Sequence, residues 1–262
     1  MNMLALERRN HIVEKLQDQK KVYVSDLAAE YGVSEETIRR DLEKLDKEGI
    51  ATKSYGGAVI RENLSTDMPF SARRNRNVPE KQEMARIAAG MIEDGDHIIL
   101  DASSTSAYIA KTLRDLKKQD LTVITNSIEI VLEISDVRGW NVICSGGTMK
   151  QDSYALVGPR AVEGLSSFYV EKAFLSCKAL DSERGISEGS ELHAQTKLAM
   201  MQSARTKILV ADKSKFGKIA FSKVSEFREI DCVITDEKPS ATWIDLFERY
   251  GIKCLYPGHE KE

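Results

Sequence analysis

Five short polar clusters each follow an apolar run, and their side chains are of the kinds that hold a phosphorylated small molecule. Asp101, Ser103, Ser104 and Thr105 follow HIIL (97–100) and open a helical pattern. Thr125, Asn126 and Ser127 close LTVIT (121–125), and Gly146 and Gly147 follow NVIC (141–144). Lys178 follows AFLSC (173–177), and Asp212 and Lys215 follow KILVA (207–211). Hydroxyls beside the free amides of a helix start form an anion cradle. Asp101 can accept hydroxyls of a sugar, and Lys197 or Lys215 can neutralise a phosphate. The same residue types also serve as ordinary caps of strand-to-helix turns. Their recurrence at five successive strand ends, where open α/β sheets bind ligands, speaks for a site.

A second constellation lies near the start of the chain. In SEETIRRDLEKLDKEG (34–49), Ile38, Leu42 and Leu45 recur at helical spacing and share one buried face. At about 100° per residue, Glu36, Thr37, Arg40 and Lys44 fall on the opposite face and Arg39 on its flank. Arg40 can donate to guanine edges or to a phosphate, and Thr37 can meet a phosphate or a thymine methyl. Ser34 caps this helix, whose free amides can hold a phosphate. Charge decides nothing here. Residues 1–60 hold ten Lys and Arg against eleven Asp and Glu, and the whole chain carries −3. A solvated helix face would look the same, so the order of elements has to decide.

That order is helix, helix, helix, hairpin. Arg8 to Gln19 carries Ile12, Val13 and Leu16 at helical spacing, and Val22 to Val24 is a short β-like run. Ser25 is expected to cap a second helix with Leu27, Ala28 and Tyr31, broken by Gly32. Gly49 stops the third. Ile50–Lys53 and Ala58–Ile60 then flank the turn Ser54-Tyr55-Gly56-Gly57. A short helix, a tight turn and a second helix form the arrangement whose second helix enters the major groove. Residues 61–78 are polar, aperiodic and punctuated by Pro69, and read as a linker. From residue 79, strands (CVIT, 232–235, is the last) alternate with helical stretches such as 80–93, 106–117 and 190–204. The expected fold class is α/β, with a parallel sheet covered by helices behind a small DNA-binding domain. The expected domains are 1–60, a linker over 61–78, and 79–262.

The segment YVSDLAAEYGVSEETIRRDLEKLDKEGIATKSYGGAV (23–59) resembles the winged helix-turn-helix of the DeoR/GlpR family of bacterial regulators. The resemblance continues through Phe70–Arg73, Glu80-Lys81, Leu100-Asp101, TVITNS (122–127), Gly146-Gly147 and DKSKFG (212–217). It implies that Ser34, Thr37, Arg39 and Arg40 face DNA, with Tyr55 and Gly56 in the wing. It also implies a larger, Rossmann-like effector domain similar in fold to ribose-5-phosphate isomerase, and a phosphorylated sugar as inducer. Three positions depart from the family's usual pattern. Ser103 stands where glycine is usual, His193 where glutamate is common, and Leu198 where arginine often follows the lysine.

The resulting expectation is a sequence-specific transcriptional regulator, a repressor of sugar or polyol catabolism. Its expected partners are double-stranded DNA, a sugar phosphate, and itself as a dimer or higher even-numbered oligomer. The effector, the operator and the direction of regulation are not readable from the residues. Two alternatives stand beside this reading. One is an isomerase-like enzyme fused to a DNA-binding domain, with Asp101, Glu188 or Glu191 as bases. The other is a DNA-bound scaffold with an empty pocket. The four histidines are scattered and form no nucleophile–base motif, so no catalytic residue is expected. Cys144, Cys177, Cys232 and Cys254 form no CxxC pair and read as core residues, so neither metal nor cofactor is expected. Without an apolar run of about 20 residues or a signal-peptide pattern, a cytoplasmic protein is expected.

Overall fold

The computed structural model describes residues 5–47, 49–60 and 70–259. The chain divides into two compact units, Met1–Arg76 and Asn77–Glu262.

The first unit opens with α1 (Ala5–Gln19), β1 (Lys21–Tyr23), α2 (Val24–Tyr31) and α3 (Glu35–Lys47). β2 (Ala51–Ser54), β3 (Gly57–Ile60) and α4 (Phe70–Arg74) follow. β1 joins the hairpin to make a three-stranded antiparallel wing in the order β1-β3-β2. The apolar spacing read from the sequence builds one core: Ile12, Leu16, Leu27, Ile38, Leu42 and Leu45 are almost completely buried. Gly32 ends α2 in the left-handed conformation at φ 63°, which only glycine adopts without strain. Ser34 Oγ accepts the Thr37 amide at 3.2 Å and so caps α3, as expected. A Cβ on Gly57 would lie 2.0 Å from the Val22 carbonyl oxygen, so glycine is what lets β3 close on β1.

Three expectations need correction here. Ser25 does not cap α2. The helix begins at Val24, two residues earlier than a Ser25 cap would place it, and the Ser25 hydroxyl donates to Asp26 instead, at 2.9 Å. Extended backbone at Tyr23 starts the helix without a side-chain cap. Residues 70–74 form a short helix with Phe70 buried, although five residues are too few to show a period. Of the rest of the expected linker, 61–69 lies outside the described residues, 75–77 form a turn, and residue 78 already opens the next helix. Finally, Cys144 is exposed and Cys254 only half-buried, whereas Cys177 and Cys232 are core residues. Cys144 ends an edge strand, where no neighbouring strand covers it.

In the second unit, α5 (Val78–Gly90) leads into β4 (His97–Leu100), α6 (Ser104–Asp115), β5 (Thr122–Thr125), α7 (Ile128–Ile134) and β6 (Asn141–Cys144). β7 (Thr148–Lys150) and β8 (Ala155–Val157) form a hairpin before α8 (Pro159–Ser166) and β9 (Val170–Leu175). β10 (Ala179–Asp181), β11 (Gly185–Glu188), α9 (Glu191–Gln202), β12 (Ala204–Val210) and β13 (Ser222–Ser225) come next. β14 (Cys232–Ile234), α10 (Ala241–Arg249) and β15 (Lys253–Leu255) complete the chain. Seven strands form one parallel sheet in the order β15-β14-β12-β9-β4-β5-β6. Its core strands are continuous apolar runs, as burial on both faces requires. The chain moves outward from β4 through β5 to β6, then returns to β9 on the other side of β4. The order therefore reverses between β4 and β9, and their carboxyl ends flank the crevice where such sheets bind ligands. Among the described residues, no helix is long and apolar enough to cross a membrane.

Candidate functional site

The five polar clusters do lie at carboxyl ends of parallel strands, after β4, β5, β6, β9 and β12. The β4–β9 crevice gathers the most chemistry. Ser103 caps α6 by accepting the Ser106 amide at 3.0 Å. Ser104 and Thr105, the first two residues of that helix, are 5% and 4% exposed, and their hydroxyls show no hydrogen bond among the described residues. The start of α6 thus presents two unspent hydroxyls beside first-turn amides, the arrangement expected of an anion cradle.

Asp101 has a different role from the one expected. Its Oδ1 accepts from the Ser103 amide at 3.2 Å and the Ser106 hydroxyl at 2.6 Å. Its Oδ2 accepts from the Ser176 amide at 2.9 Å and from the Lys197 ammonium. Lys197 also donates to the Ser176 carbonyl and lies 3.0 Å from Glu188. Four donors fill the Asp101 carboxylate and three acceptors take up the Lys197 ammonium. Neither group has capacity left for a ligand in this arrangement. Burial alone would raise the Asp101 carboxyl, but Lys197 and the bonds from Ser103 and Ser106 outweigh it and hold it below its ordinary value. Burial would likewise lower Lys197, but Asp101 and Glu188 hold it charged.

Further cations lie beyond this pair, around Asp212. Asp212 caps a short turn by accepting the Ser214 amide at 2.9 Å. Its burial would raise its carboxyl, but Lys215, Ser214 and the buried Lys81 lower it. Cys177, just after β9, feels Glu188, Lys215, Lys197 and Asp212, and its burial pushes the thiol up to about 12. These residues therefore form one charged neighbourhood around the end of β9. Lys178 is half-buried and anchors its loop through its amide, which donates to Ser187 O.

The remaining clusters are largely occupied with architecture, although the buried Asn126 Oδ1 has no partner among the described residues. Thr125 Oγ1 donates to Leu100 O at 2.6 Å and accepts the Ser127 amide at 3.1 Å. Ser127 caps α7. Asn126 donates to the Leu156 carbonyl at 2.9 Å. Gly146 and Gly147 turn the chain at the edge of the sheet, where a Cβ on Gly147 would lie 2.8 Å from Val157 O. His193 sits 3.4 Å from the Ser153 hydroxyl. Ser106, Ser176 and Lys81 were given no role in the sequence reading. The run Ser103–Ser106 pointed to Ser106 and the Glu80-Lys81 pair to Lys81, while Ser176 left no signal beyond its place in AFLSC. No group of three or more metal-ligating side chains occurs among the described residues.

On the first unit, α3 presents Glu36, Arg39, Arg40 and Lys44 to solvent, and Thr37 is half-buried beside Ser34, with the two hydroxyls 2.9 Å apart. Arg40 Nε donates to Glu36 at 3.3 Å and Arg39 to Glu35 at 2.9 Å. Tyr55 is fully exposed at the wing tip beside Gly56, which turns at φ 78°. The inner face of α3 is anchored by Asp41, which is 4% exposed. It accepts from Arg8 at 2.6 Å and Arg9 at 3.4 Å, both on α1.

Comparison with known proteins addresses both units. Residues 8–63 match the model of the DeoR-like helix-turn-helix domain, and residues 76–237 match that of the DeoR C terminal sensor domain. An uncharacterized HTH-type transcriptional regulator, YulB of Bacillus subtilis, is 42% identical over 89% of this chain and 90% of its own. The transcriptional repressor GlcR of the same organism is 35% identical over 95% of each chain. The L-fucose operon activator of Escherichia coli is 32% identical over 90% of this chain and 96% of its own. Among solved structures, ribose 5-phosphate isomerase A of Methanocaldococcus jannaschii covers 55% of this chain and 56% of its own at 19% identity, with a TM-score of 0.40.

Proposed function

The chain belongs to the DeoR family of transcriptional regulators, and from that premise we propose that it represses an operon for sugar or polyol breakdown and leaves its operator when a phosphorylated sugar binds at the β4–β9 crevice. The observation that carries this reading is the start of α6. Ser104 and Thr105 offer buried, unengaged hydroxyls there, next to first-turn amides. Lys215 and Lys81 supply positive charge around Asp212, which follows β12 in the same sheet. Such a site suits a dianion better than a neutral sugar.

Repression is favoured over activation by the relative GlcR, and the fucose relative names a sugar operon. The chain reads as a sensor without turnover. Asp101 and Glu188, the carboxylates best placed to act as bases, are both tied to Lys197. Carboxylate oxygens already engaged by an ammonium are not presented to a substrate proton. Operator recognition calls for two half-sites on a symmetric dimer, because one winged helix reads only a short site. For release, the sugar phosphate must prefer the low-affinity state of the dimer, since a ligand without preference shifts nothing.

The test is an operator-release titration, run with sugar phosphates from the neighbouring operon's pathway and with the matching free sugars. Release by the phosphorylated form at far lower concentration is expected. If no phosphorylated sugar alters operator binding, the sensor reading fails.

A further inference from the structure

We propose that Glu36 and Arg40 read the operator as one unit, Arg40 taking a guanine and Glu36 the amino group of a cytosine in the neighbouring base pair. This rests on the reading of α3 as the helix that enters the major groove. Glu36 and Arg40 occupy the centre of the outer face of α3, one turn apart, opposite Ile38, Leu42 and Leu45. Their side chains are 65% and 75% exposed and are joined through Arg40 Nε at 3.3 Å. An exposed pair of this kind adds little to stability, and the place of Glu36 in the first turn of α3 contributes only about 0.3–1 kcal/mol through the helix dipole; neither role engages its second oxygen.

The pair does have consequences for base reading. An arginine that gives its Nε to a carboxylate keeps both terminal amino groups, in one plane, for the O6 and N7 of guanine. Glu36 keeps its second oxygen as an acceptor. In a groove walled by phosphates that oxygen is repelled unless a base donates to it. Guanine and thymine present acceptors at their major-groove edge. Adenine sets an acceptor beside its amino group, and cytosine alone offers a donor without one. Cytosine is therefore the base that a carboxylate tolerates best. Residues four apart on a helix rise about 6 Å, and the ion pair draws their heads together, so contacts to neighbouring base pairs follow. Glu36 acts mainly by exclusion: it weakens every site that lacks the cytosine.

The test begins with duplexes selected from a random pool by the wild-type protein. Affinity is then measured on every single-base variant of the selected site, for wild type, Glu36→Gln and Glu36→Ala. The selected half-site is expected to contain a cytosine next to the guanine that Arg40 reads. Replacing that cytosine should weaken wild-type binding by about 5- to 150-fold. Glu36→Gln should move the preference at that position to adenine, which an amide recognises through its N6 and N7. Glu36→Ala should lose discrimination there and bind random duplex more tightly. The proposal is overturned if both variants keep the wild-type base profile. It is also overturned if only the guanine position responds, because Glu36 then merely orients Arg40. A wild-type protein that selects no sequence would sink the reading of α3 itself.

Discussion

Lys197 donates to Asp101 across the β4–β9 crevice, joining two residues that stand 96 apart in the chain. Its remaining donors go to Ser176 O and Glu188. A lysine that the sequence offers as a phosphate ligand is thereby the countercharge of two buried carboxylates. It ties α9 to the ends of β4, β9 and β11. The cradle at the start of α6 depends on this, because Asp101 also fixes Ser103 and Ser106.

Replacing Lys197 by methionine should therefore destabilise the second unit. Removing one partner of a buried ion pair leaves an uncompensated charge and costs about 3–5 kcal/mol. The pH dependence gives a sharper signature. In the wild type the Asp101 carboxyl lies below its ordinary value, so its contribution is complete above about pH 4 and is lost as pH falls through the folded value. In Lys197→Met, the countercharge is gone and only the bonds from Ser103, Ser106 and Ser176 oppose burial, so the carboxyl rises and the folded state binds a proton more readily. Thermal unfolding of the variant should then improve from pH 7 toward pH 5, where the wild type gains nothing from this group. Equal melting temperatures for the two proteins at pH 7 would refute the assignment.

Asp41 should behave similarly in the first unit. It is buried and accepts from Arg8, itself only 6% exposed, at 2.6 Å. Asp41→Ala leaves the guanidinium buried and releases α3 from α1. A loss of about 3–5 kcal/mol is expected, together with weaker operator binding. Circular dichroism melts of residues 1–76 within the full chain, followed through hydrogen exchange, would report it. Wild-type protection of α3 amides in the variant would count against the clasp.

Much of this was legible in the sequence, for identifiable reasons. Ile38, Leu42 and Leu45 mark the buried face of α3 because helical spacing is local information. The Ser103 and Ser34 caps follow from local chemistry in the same way. The partner of Lys197 is not local. It depends on β4 and β9 being neighbours, and a parallel sheet's strand order leaves no periodic trace. The exposure of Cys144 has the same cause, since alternation cannot tell an edge strand from a central one. Ser25 misled because a cap-forming residue one position inside a helix looks identical to one at its start. Asp41 lay within the motif that identified the helix, yet its partners on α1 are 33 and 32 residues away.

Gly57 offers a test of the wing that involves no charge. Its missing side chain admits the Val22 carbonyl, which an added Cβ would approach to 2.0 Å. Gly57→Ala should separate β3 from β1 and cost at least the roughly 1–3 kcal/mol of an overpacked site. Gly56→Ala is the control. It meets nothing within 4 Å but sits at φ 78°, so its cost is backbone strain alone, about 1 kcal/mol. A ranking in which Gly56→Ala is the more damaging would show that the β1–β3 contact is looser than described.

The effector site is tested best by residues that hold nothing else. Ser104 and Thr105 are buried, and no described residue engages their hydroxyls. Replacing both by alanine should leave folding and operator affinity unchanged, because Ser103 still caps α6. It removes two hydrogen bonds to an anion, each worth about 1.5–3 kcal/mol. The sugar phosphate needed for half-release should rise at least tenfold per hydroxyl, by the same figure. Lys215→Ala should add to this, with some loss of melting temperature because Asp212 loses a countercharge. Lys197→Met, in contrast, should lower the melting temperature first. Fluorescence anisotropy of a labelled operator, titrated with the effector, reads all four proteins on one scale. If the double alanine variant releases DNA at the wild-type concentration, the phosphate does not sit at the start of α6. If Lys197→Met keeps full stability and only the release point moves, Lys197 is a ligand after all, and its bond to Asp101 yields when the effector arrives.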